Sequence, residues 1–315
     1  MKIAILGATS QIAKDLVLSF SVSIEHELVL FARRPDVVRD WLVENGLATR
    51  YAAADFSAFN ADQQFDAILN FVGVGNPAQA AAMGAAIFDV TLQYDDLALS
   101  YLTQHPTCRY IFLSSGAAYG ASFEKEADVG THALVPINAL QPCDWYGVAK
   151  LHAECRHRAL SHLSIVDIRI FNYFSHTQDM SARFLITDIL RAICQKEILK
   201  TSSDYIVRDF LHSSDFFGLI NAILTFTPRN DCVDCYSVKP VDKPTILAAM
   251  AQQFGLRYEV VKGEASINAT GSKAHYYTLN RRAAEFGYMP LLTSLEGVLK
   301  EAAFVIEAYR KDIRG

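Results

Sequence analysis

The sequence predicts a doubly wound α/β fold, in which a parallel β-sheet is covered by helices on both faces. Short apolar runs alternate with segments of helical periodicity from residue 2 to residue 171. The apolar runs are continuous rather than alternating, which is typical of strands buried on both faces of a sheet. The chain has 315 residues, of which 51% are hydrophobic, enough for one large domain or two coupled ones.

Strands and helices alternate through the first half of the chain. Strands are predicted at residues 2–6, 27–32, 50–54, 66–72, 109–114 and 165–171, and helices at residues 11–20, 37–45, 78–104 and 145–163. Beyond residue 171 the rhythm changes, with helices predicted at 181–196, 215–226, 243–254 and 293–309 and strands at 204–211 and 233–238. No linker rich in Pro, Gly or Ser separates the two parts, so we expect a smaller second lobe that interleaves with the first.

The composition argues against several classes of protein. The formal net charge is -5, which gives no electrostatic attraction for nucleic acid. No stretch reaches the roughly 18 apolar residues that a membrane span needs. The chain starts with a strand and a turn rather than a signal peptide, and its six cysteines are irregularly spaced. We therefore expect a cytoplasmic protein that binds a small molecule, with no nucleic acid, membrane or metal partner.

A loop of small residues joins the first predicted strand to the first helix, and it runs Gly7, Ala8, Thr9, Ser10, Gln11, Ile12, Ala13. Small residues let the backbone approach a pyrophosphate, and the helix N-terminus offers free N–H groups and a partial positive charge. The spacing is a degenerate G-x-x-G-x-x-G loop, with Ser10 and Ala13 at the second and third glycine positions. It favours a dinucleotide site in a Rossmann-type fold, although any strand-to-helix turn prefers small residues.

The end of the second strand bears on the choice between NAD and NADP. NAD enzymes usually place Asp or Glu there for the ribose 2′-hydroxyl, whereas an arginine nearby suits a 2′-phosphate. Here Arg33 and Arg34 follow the strand and no acid is present. A guanidinium binds phosphate through two parallel hydrogen bonds, so we expect NADP, with NAD as the alternative. The two arginines could also be ordinary solvated side chains of a loop.

A tyrosine and a lysine four residues apart indicate proton transfer. Tyr146 and Lys150 share one face of a predicted helix. A nearby ammonium favours the phenolate and lowers the pKa of a tyrosine from about 10. Tyr146 could then exchange a proton with a carbonyl or alcohol while a nicotinamide carries the hydride. This pair alone is common by chance on surface helices.

A serine at the end of the fifth predicted strand completes this set. Ligands of doubly wound proteins bind at the carboxyl edge of the sheet, where Ser115 lies. Its hydroxyl could hydrogen-bond the reacting oxygen, with Ser114 as the rival. The segment could also be a turn rich in Gly and Ser that merely ends a strand.

Together these residues resemble the extended short-chain dehydrogenase/reductase family, in its nucleotide-sugar epimerase, dehydratase and reductase branch. The resemblance covers nearly the whole chain, including the segments Asp55-Phe56, Asn70-Phe71-Val72-Gly73, Arg169-Ile170-Phe171-Asn172 and Arg208-Asp209-Phe210-Leu211-His212. It implies an NAD(P)-binding domain at residues 1–172, to which 205–238 return, and a smaller substrate-binding lobe at 173–204 and 239–315. It also implies a homodimer.

The resemblance also implies roles for single residues. Ser115, Tyr146 and Lys150 would be catalytic, and Lys150 would also hold the nicotinamide ribose. Asn172 would lie at the edge of the substrate, and Arg208 would meet its diphosphate, unless Arg208 and Asp209 form an internal ion pair. The cofactor would lie against Asp55, Phe56, Phe71 and Gly73, besides Gly7, Thr9, Ser10, Gln11, Ile12, Arg33 and Arg34.

Departures from the family narrow the function. The Asp-Glu pair of 4,6-dehydratases is replaced by Gly116 and Ala117, which argues against dehydration. The absence of an acid after the second strand favours an NADPH-linked 4-keto reductase of a nucleotide-diphosphate sugar. The alternatives are an NAD-dependent 4-epimerase of such a sugar and a non-catalytic dinucleotide-binding sensor.

Overall fold

The computed structural model describes residues 1–23, 25–74, 80, 82–120, 122–261 and 273–312 of the chain. Within these residues the strands are β1 (Lys2–Leu6), β2 (Glu27–Phe31), β3 (Ala52–Ala54), β4 (Ala67–Asn70), β5 (Arg109–Ser115), β6 (Ile165–Ile170), β7 (Asn172–Tyr173), β8 (Ile198–Ser202), β9 (Val207–Arg208), β10 (Phe210–Leu211), β11 (Asp231–Asp234), β12 (Val241–Asp242), β13 (Arg257–Val261) and β14 (His275–Tyr276). The helices are α1 (Gln11–Ser21), α2 (Pro35–Glu44), α3 (Ala86–Gln104), α4 (Pro142–Ala159), α5 (Leu185–Gln195), α6 (Ser213–Thr225), α7 (Lys243–Phe254) and α8 (Ser294–Asp312).

Seven of these strands form one parallel sheet in the order β11-β6-β5-β4-β1-β2-β3. The chain builds outward from β1 to β3 and then crosses to β4, on the other side of β1. This reversal opens a crevice between the carboxyl ends of β1 and β4, where doubly wound proteins bind their ligands. The predicted Rossmann-type doubly wound sheet is confirmed.

Side chains of the sheet pack into apolar layers on both of its faces. Along β1, Ile3 and Ile5 belong to one buried cluster while Ala4 and Leu6 belong to another, because successive side chains of a strand point to opposite faces. The first cluster includes residues of α1 and α6, and the second includes residues of α3. This burial on both faces explains why the strands are continuously apolar in sequence.

Several observed elements differ from the predicted ones. The strand predicted at 204–211 is two short strands, β9 and β10, because buried Asp209 between them accepts hydrogen bonds from Ser237 and Ser294. The strand predicted at 233–238 is instead β11, Asp231–Asp234, which pairs with β6 at the sheet edge. Part of the helix predicted at 78–104 lies outside the described residues, and α3 begins at Ala86.

The helix predicted at residues 145–163 is α4, Pro142–Ala159, which begins three residues earlier. Proline suits the first turn of a helix, where its missing N–H leaves no bond unmade. The Asp144 carboxylate then accepts a hydrogen bond from the N–H of Gln141 at 2.9 Å. The polar start of this helix therefore lies ahead of the predicted boundary.

A further apolar cluster lies in the C-terminal part of the chain, where α5, α7 and α8 pack together. Beside it, β8 and β13 pair with each other and were not predicted, because their partly exposed side chains form no apolar run. The division of the chain into two lobes remains a prediction. Among the described residues, no helix combines the length and apolar character needed to cross a membrane.

Candidate active site

The loop after β1 forms a tight turn against the end of β4. Gly7 has a φ of +83°, and a Cβ at this position would lie 2.8 Å from the Val72 backbone nitrogen, so only glycine fits. The first hydrogen bond of α1 runs from the N–H of Lys14 to the carbonyl oxygen of Ser10. The N–H groups of residues 11–13 therefore point out of the helix end, as anion binding requires.

The other side of this crevice is formed by the residues after β4. A Cβ on Gly73 would lie 3.3 Å from the Nζ atom of Lys150, so glycine keeps the space before this ammonium open. Thr9 is exposed, the Ser10 side chain makes no capping bond, and the Gln11 amide donates to Ser175. These features fit the predicted dinucleotide. The glycine loop and the N-terminus of α1 suit its pyrophosphate, and Lys150 beside Gly73 suits a ribose.

The two arginines after β2 are exposed and make no hydrogen bond or ion pair with any residue that the structure describes. Arg34 precedes the first residue of α2, so both guanidinium groups lie at the carboxyl edge of the sheet. The same edge carries the glycine loop. The position of Arg33 and Arg34 is compatible with the predicted contact to a 2′-phosphate.

The remaining residues predicted near the cofactor differ in their surroundings. Asp55 follows β3 and accepts a hydrogen bond from the N–H of Ser57 at 2.9 Å. Phe56 packs against Tyr94, with 4.5 Å between the ring centroids. The Phe71 side chain is buried in the core, so it offers little surface to a ligand.

Ser115 is the last residue of β5 and begins a short 3-10 turn at the carboxyl edge of the sheet. Its Oγ accepts a hydrogen bond from the N–H of Ala117 at 3.2 Å. The rival Ser114 donates its hydroxyl to Glu154 in the protein interior. Of the two serines, only Ser115 therefore has its hydroxyl beside Tyr146.

Tyr146 and Lys150 lie one turn apart on α4, as their spacing predicts. The Lys150 ammonium donates to the carbonyl oxygen of Leu113 at 2.7 Å and lies 6.0 Å from the Tyr146 ring centroid. It also lies 4.3 Å from the centroid of the Phe112 ring. The structure thus brings Ser115, Tyr146 and Lys150 together at one edge of the sheet.

The expected lowering of the Tyr146 pKa by Lys150 is not observed. Burial raises the pKa of Tyr146, and the hydrogen bond with Ser115 offsets this only in part. Burial also lowers the pKa of Lys150 to about 8, against the opposing effect of Asp95, Glu154 and Asp167. Tyr146 therefore keeps its proton at neutral pH and can donate it to a substrate oxygen.

The face of α4 that meets the sheet is built from small and charged residues. Its buried members are Gly147, Ala149, Lys150, Ala153, Glu154 and His157. Glu154 accepts two hydrogen bonds at 3.0 Å from Arg169 on β6. The helix that carries the Tyr–Lys pair is therefore fixed by buried charge pairs rather than by large apolar side chains.

His157 occupies the centre of a fully buried acidic cluster. Its Nδ1 lies 2.6 Å from Asp167 and its Nε2 lies 2.7 Å from Asp95. Burial alone would lower the pKa of His157, but the hydrogen bonds to Asp167 and Asp95 raise it to about 9. The imidazole is therefore protonated at neutral pH, which allows both ring nitrogens to donate.

The two residues predicted to contact the substrate lie near the same edge. Asn172 donates weak hydrogen bonds of 3.4 Å to the carbonyl oxygens of Asp209 and Tyr276. Arg208 donates to the carbonyl oxygens of Val207 and Ala274. The alternative of an Arg208–Asp209 ion pair is not observed, since the Asp209 carboxylate bonds to other groups.

Two further residues reach this region that the sequence did not indicate. The Tyr276 hydroxyl lies 3.3 Å from the Oγ of Ser115. The Lys273 ammonium lies 4.4 Å from the centroid of the Tyr276 ring. Both residues follow a stretch without hydrophobic periodicity, so no local pattern could have identified them.

The turn after Ser115 has no room for an acidic side chain. A Cβ on Gly116 would lie 2.6 Å from the Phe171 ring. The packed Phe171 ring therefore leaves no room for a larger residue at Gly116, in agreement with the sequence argument against a 4,6-dehydratase. The next residue, Ala117, has its carbonyl against Gly147, where a Cβ would come within 2.4 Å. Small residues thus allow the turn and α4 to touch.

A protein-family model described as the NAD dependent epimerase/dehydratase family matches residues 3–234 of the chain. This match spans the main sheet, the glycine loop and the Ser115, Tyr146 and Lys150 positions. No curated protein sequence matches the chain.

Solved structures of similar fold cover nearly the whole chain. A UDP-glucose 4-epimerase from Stenotrophomonas maltophila, with bound NAD and formylated UDP-arabinopyranose, superimposes with a TM-score of 0.82 at 16% identity and covers 99% of each chain. A UDP-glucuronic acid 4-epimerase from Bacillus cereus, in complex with UDP-glucuronic acid and NAD, gives 0.77 at 16% identity, over 98% of this chain and 100% of that one. A dTDP-glucose 4,6-dehydratase from Bacillus anthracis in complex with NAD gives 0.77 at 15% identity, over 99% and 97%.

Proposed function

The chain belongs to the NAD-dependent epimerase/dehydratase family and is an enzyme of the extended short-chain dehydrogenase type, and we propose that it is a nucleotide-sugar 4-epimerase. The observation that carries this proposal is the meeting of Ser115, Tyr146 and Lys150 at the carboxyl edge of the sheet. The fold shared with two UDP-sugar 4-epimerases supports the epimerase over the 4-keto reductase that the sequence favoured.

The chain's own residues would act on the oxygen at C4 of the sugar. Tyr146 would exchange its proton with this oxygen, and the Ser115 hydroxyl would hold the oxygen in place. Lys150 would bind the nicotinamide ribose beside Gly73. Asn172 would border the sugar, and Arg208 would pair with the diphosphate. The chemistry that a bound nicotinamide dinucleotide supplies is reversible hydride transfer.

We expect the purified protein to interconvert the two C4 epimers of a UDP-sugar without net consumption of reduced cofactor. UDP-glucose and UDP-glucuronic acid would be incubated with enzyme and NAD, and the products separated and identified by NMR. An equilibrium mixture of C4 epimers supports the proposal. Consumption of one NADPH for each molecule of a UDP-4-keto sugar, with no epimerisation, would establish the reductase instead.

The 4-keto reductase remains a second candidate because of the residues after β2. A reductase must release its oxidised cofactor after each turnover, and NADPH is the usual reductant. The exposed Arg33 and Arg34, with no acid beside them, suit the 2′-phosphate of NADPH better than the 2′-hydroxyl of NADH. NADP is therefore the cofactor that the chain's own residues favour, and NAD is the one bound by the similar structures.

The exchange Arg33→Asp tests this contact. It replaces an attraction for the 2′-phosphate by a repulsion, and we expect NADPH to bind about 10- to 100-fold more weakly while NADH binding changes little. Fluorescence titration of both cofactors measures the effect. Arg183→Asp is the matched control. Arg183 is also exposed, but it pairs with Asp188 in the C-terminal part of the chain. An equal loss for both cofactors would argue against a 2′-phosphate contact.

The assembly and setting of the enzyme are also part of this proposal. From the family we infer a cytoplasmic homodimer, in which α3 and α4 face the partner subunit. Light scattering of the purified protein measures the mass directly. A monomer of 34.9 kDa would contradict the dimer.

A further inference from the structure

A buried acid on α1 is bound by hydroxyl groups from a distant part of the chain. Asp15 is 5% exposed, and no cation among the residues that the structure describes lies within ion-pair distance of it. Its oxygens accept hydrogen bonds from Tyr173 at 2.7 Å, Ser175 at 2.6 Å and Thr177 at 2.7 Å. Burying a carboxyl group is costly unless its oxygens are bonded, so these contacts hold α1 and residues 173–177 together.

One of these hydroxyls connects two residues of α1 at once. Ser175 donates to Asp15 and accepts a hydrogen bond from the Gln11 amide at 2.8 Å. Gln11 is the first residue of α1, and Asp15 lies one turn further along the helix. Both contacts therefore hold the helix end whose free N–H groups suit the pyrophosphate. Ser175 is 1% exposed, so water does not compete for them.

Residues 173–177 continue directly from a strand at the predicted substrate site. β7 consists of Asn172 and Tyr173, and it pairs with β10, which closely follows Arg208. Asn172 and Arg208 are the residues that we assign to the sugar and the diphosphate. Side-chain hydrogen bonds thus join this strand to the helix of the cofactor site without an intervening element.

The opposite side of the same residues is fixed to α8. The backbone N–H and the Nδ1 atom of His176 each lie 2.6 Å from the Glu301 carboxylate. Glu301 also lies 2.8 Å from the imidazole of His212, the residue directly after β10. Because residues 175–177 are held between α1 and α8, a restraint on α1 is passed on to β7 and β10 rather than absorbed by loose chain.

This arrangement gives two ligands a shared cost of ordering. A dinucleotide at the end of α1 restrains that helix and, through Asp15 and Ser175, the residues bonded to it. A nucleotide sugar restrains the same residues from β7 and β10. The second ligand to bind then meets a segment that is already ordered and loses less conformational entropy. Each ligand should therefore strengthen the binding of the other by the same factor.

Resting on the proposed function, we propose that Ser175 is a positioning residue that couples the dinucleotide site to the nucleotide-sugar site through Gln11 and Asp15. Because Ser175 is buried, its hydroxyl acts through α1 and β7 rather than by contact with a ligand. The role is therefore visible in the coupling between two ligands and not in the binding of one ligand alone.

Two titrations of the purified protein, freed of any bound dinucleotide, measure this coupling. UDP, dTDP, CDP and GDP are first compared by isothermal titration, and the one that binds most tightly is used. NADH or NADPH, whichever binds more tightly, is then titrated by fluorescence with and without a saturating amount of this nucleoside diphosphate. The two ligands do not react with each other. We expect the nucleoside diphosphate to tighten dinucleotide binding by about 5- to 50-fold.

The exchange Ser175→Ala should remove most of this effect. We expect the tightening to fall below about 2-fold, while the dinucleotide alone binds within about 3-fold of its affinity for the unaltered protein. Tyr173→Phe removes one donor to Asp15 but keeps Ser175, so it should lower the tightening only in part. A merely structural role of Ser175 would weaken dinucleotide binding equally in both titrations. An unchanged tightening in both variants would therefore overturn the inference.

Tyr101→Phe is the matched control for the loss of a buried hydroxyl. Tyr101 is 3% exposed, and its hydroxyl bonds to the backbone of Gln63 and Phe65. It belongs to the apolar cluster on the face of the sheet opposite to α1. This variant should therefore keep the full tightening.

Dinucleotide binding that is equally strong with and without the nucleoside diphosphate, in the unaltered protein, would also overturn the inference. The proposed function would then still rest on its own test by NMR. Binding of none of the four nucleoside diphosphates, with the fold verified by circular dichroism, would overturn the proposed function and this inference with it. The two failures are therefore distinguishable in one set of titrations.

Discussion

Replacing Tyr146 with phenylalanine is expected to lower turnover by about 10²–10⁴-fold, the usual worth of a positioned proton donor. The exchange keeps the ring and removes only the hydroxyl that adjoins Ser115. Burial raises the pKa of Tyr146, so the unaltered enzyme holds the proton that the variant lacks. Binding of the dinucleotide should change little, because Lys150 and the glycine loop remain. Single-turnover hydride transfer with an established substrate measures the effect.

Two further tyrosines provide the comparison for this result. Tyr205 is exposed and bonds to Asp242, so Tyr205→Phe should leave turnover unchanged. Tyr276→Phe removes the other hydroxyl near Ser115 and should have a much smaller effect than Tyr146→Phe. If Tyr276→Phe proved the more damaging, the proton donor would be Tyr276. Undiminished hydride transfer in Tyr146→Phe would remove this residue from the mechanism.

The central sheet could be predicted because its strands are buried on both faces. Apart from Lys2 at the start of β1 and Asn70 at the end of β4, both strands are apolar throughout. Apolar runs of this kind between helical segments are typical of a parallel sheet that is covered on both faces. The partly exposed strand pairs β8–β13 and β9–β14 gave no comparable pattern. Their strands are defined by contacts between distant parts of the chain, which periodicity does not report.

The predicted site residues that the structure brings together are those tied to the sheet edge. Ser115 ends β5, and Tyr146 precedes Lys150 by one helical turn. The position of a strand end and the spacing along a helix were therefore sufficient to predict these three residues as one site. Lys273 and Tyr276 reach the same place from the C-terminal part of the chain. Their position depends on the pairing of β14 with β9, a tertiary contact without a sequence signal.

The polar network beneath α4 could be predicted from the sequence only in part. Lys150, Glu154 and His157 recur at helical spacing, so one face of the helix could have been recognised as charged. Such a face is usually exposed to solvent. Its burial here depends on Asp95 from α3 and Asp167 from β6, which the spacing does not reveal.

Neutralising one acid of this network should strongly destabilise the protein. Asp167→Asn keeps the shape of the side chain, but it leaves His157 with Asp95 alone and removes the carboxylate that pairs with Arg158. Breaking a buried charge pair from one side costs about 3–5 kcal/mol, because the remaining charge is left uncompensated. We expect the free energy of unfolding in urea to fall by this amount. Asp36→Asn removes an exposed ion pair with Arg39 and should change the free energy of unfolding by at most about 1 kcal/mol.

The same cluster predicts how this destabilisation depends on pH. The pKa of His157 is raised in the folded protein to about 9 from its ordinary value of 6.5. The stabilisation by the charged imidazole is therefore fully present below about pH 6.5 and is lost as the pH rises through about 9. The difference in stability between the unaltered protein and Asp167→Asn should accordingly be largest near pH 6 and smaller near pH 10. A difference that is equal at both pH values would show that it does not arise from the charge on His157. Because His157 and Lys150 lie on the same buried face of α4, loss of this charge pair would also loosen the helix that holds Tyr146.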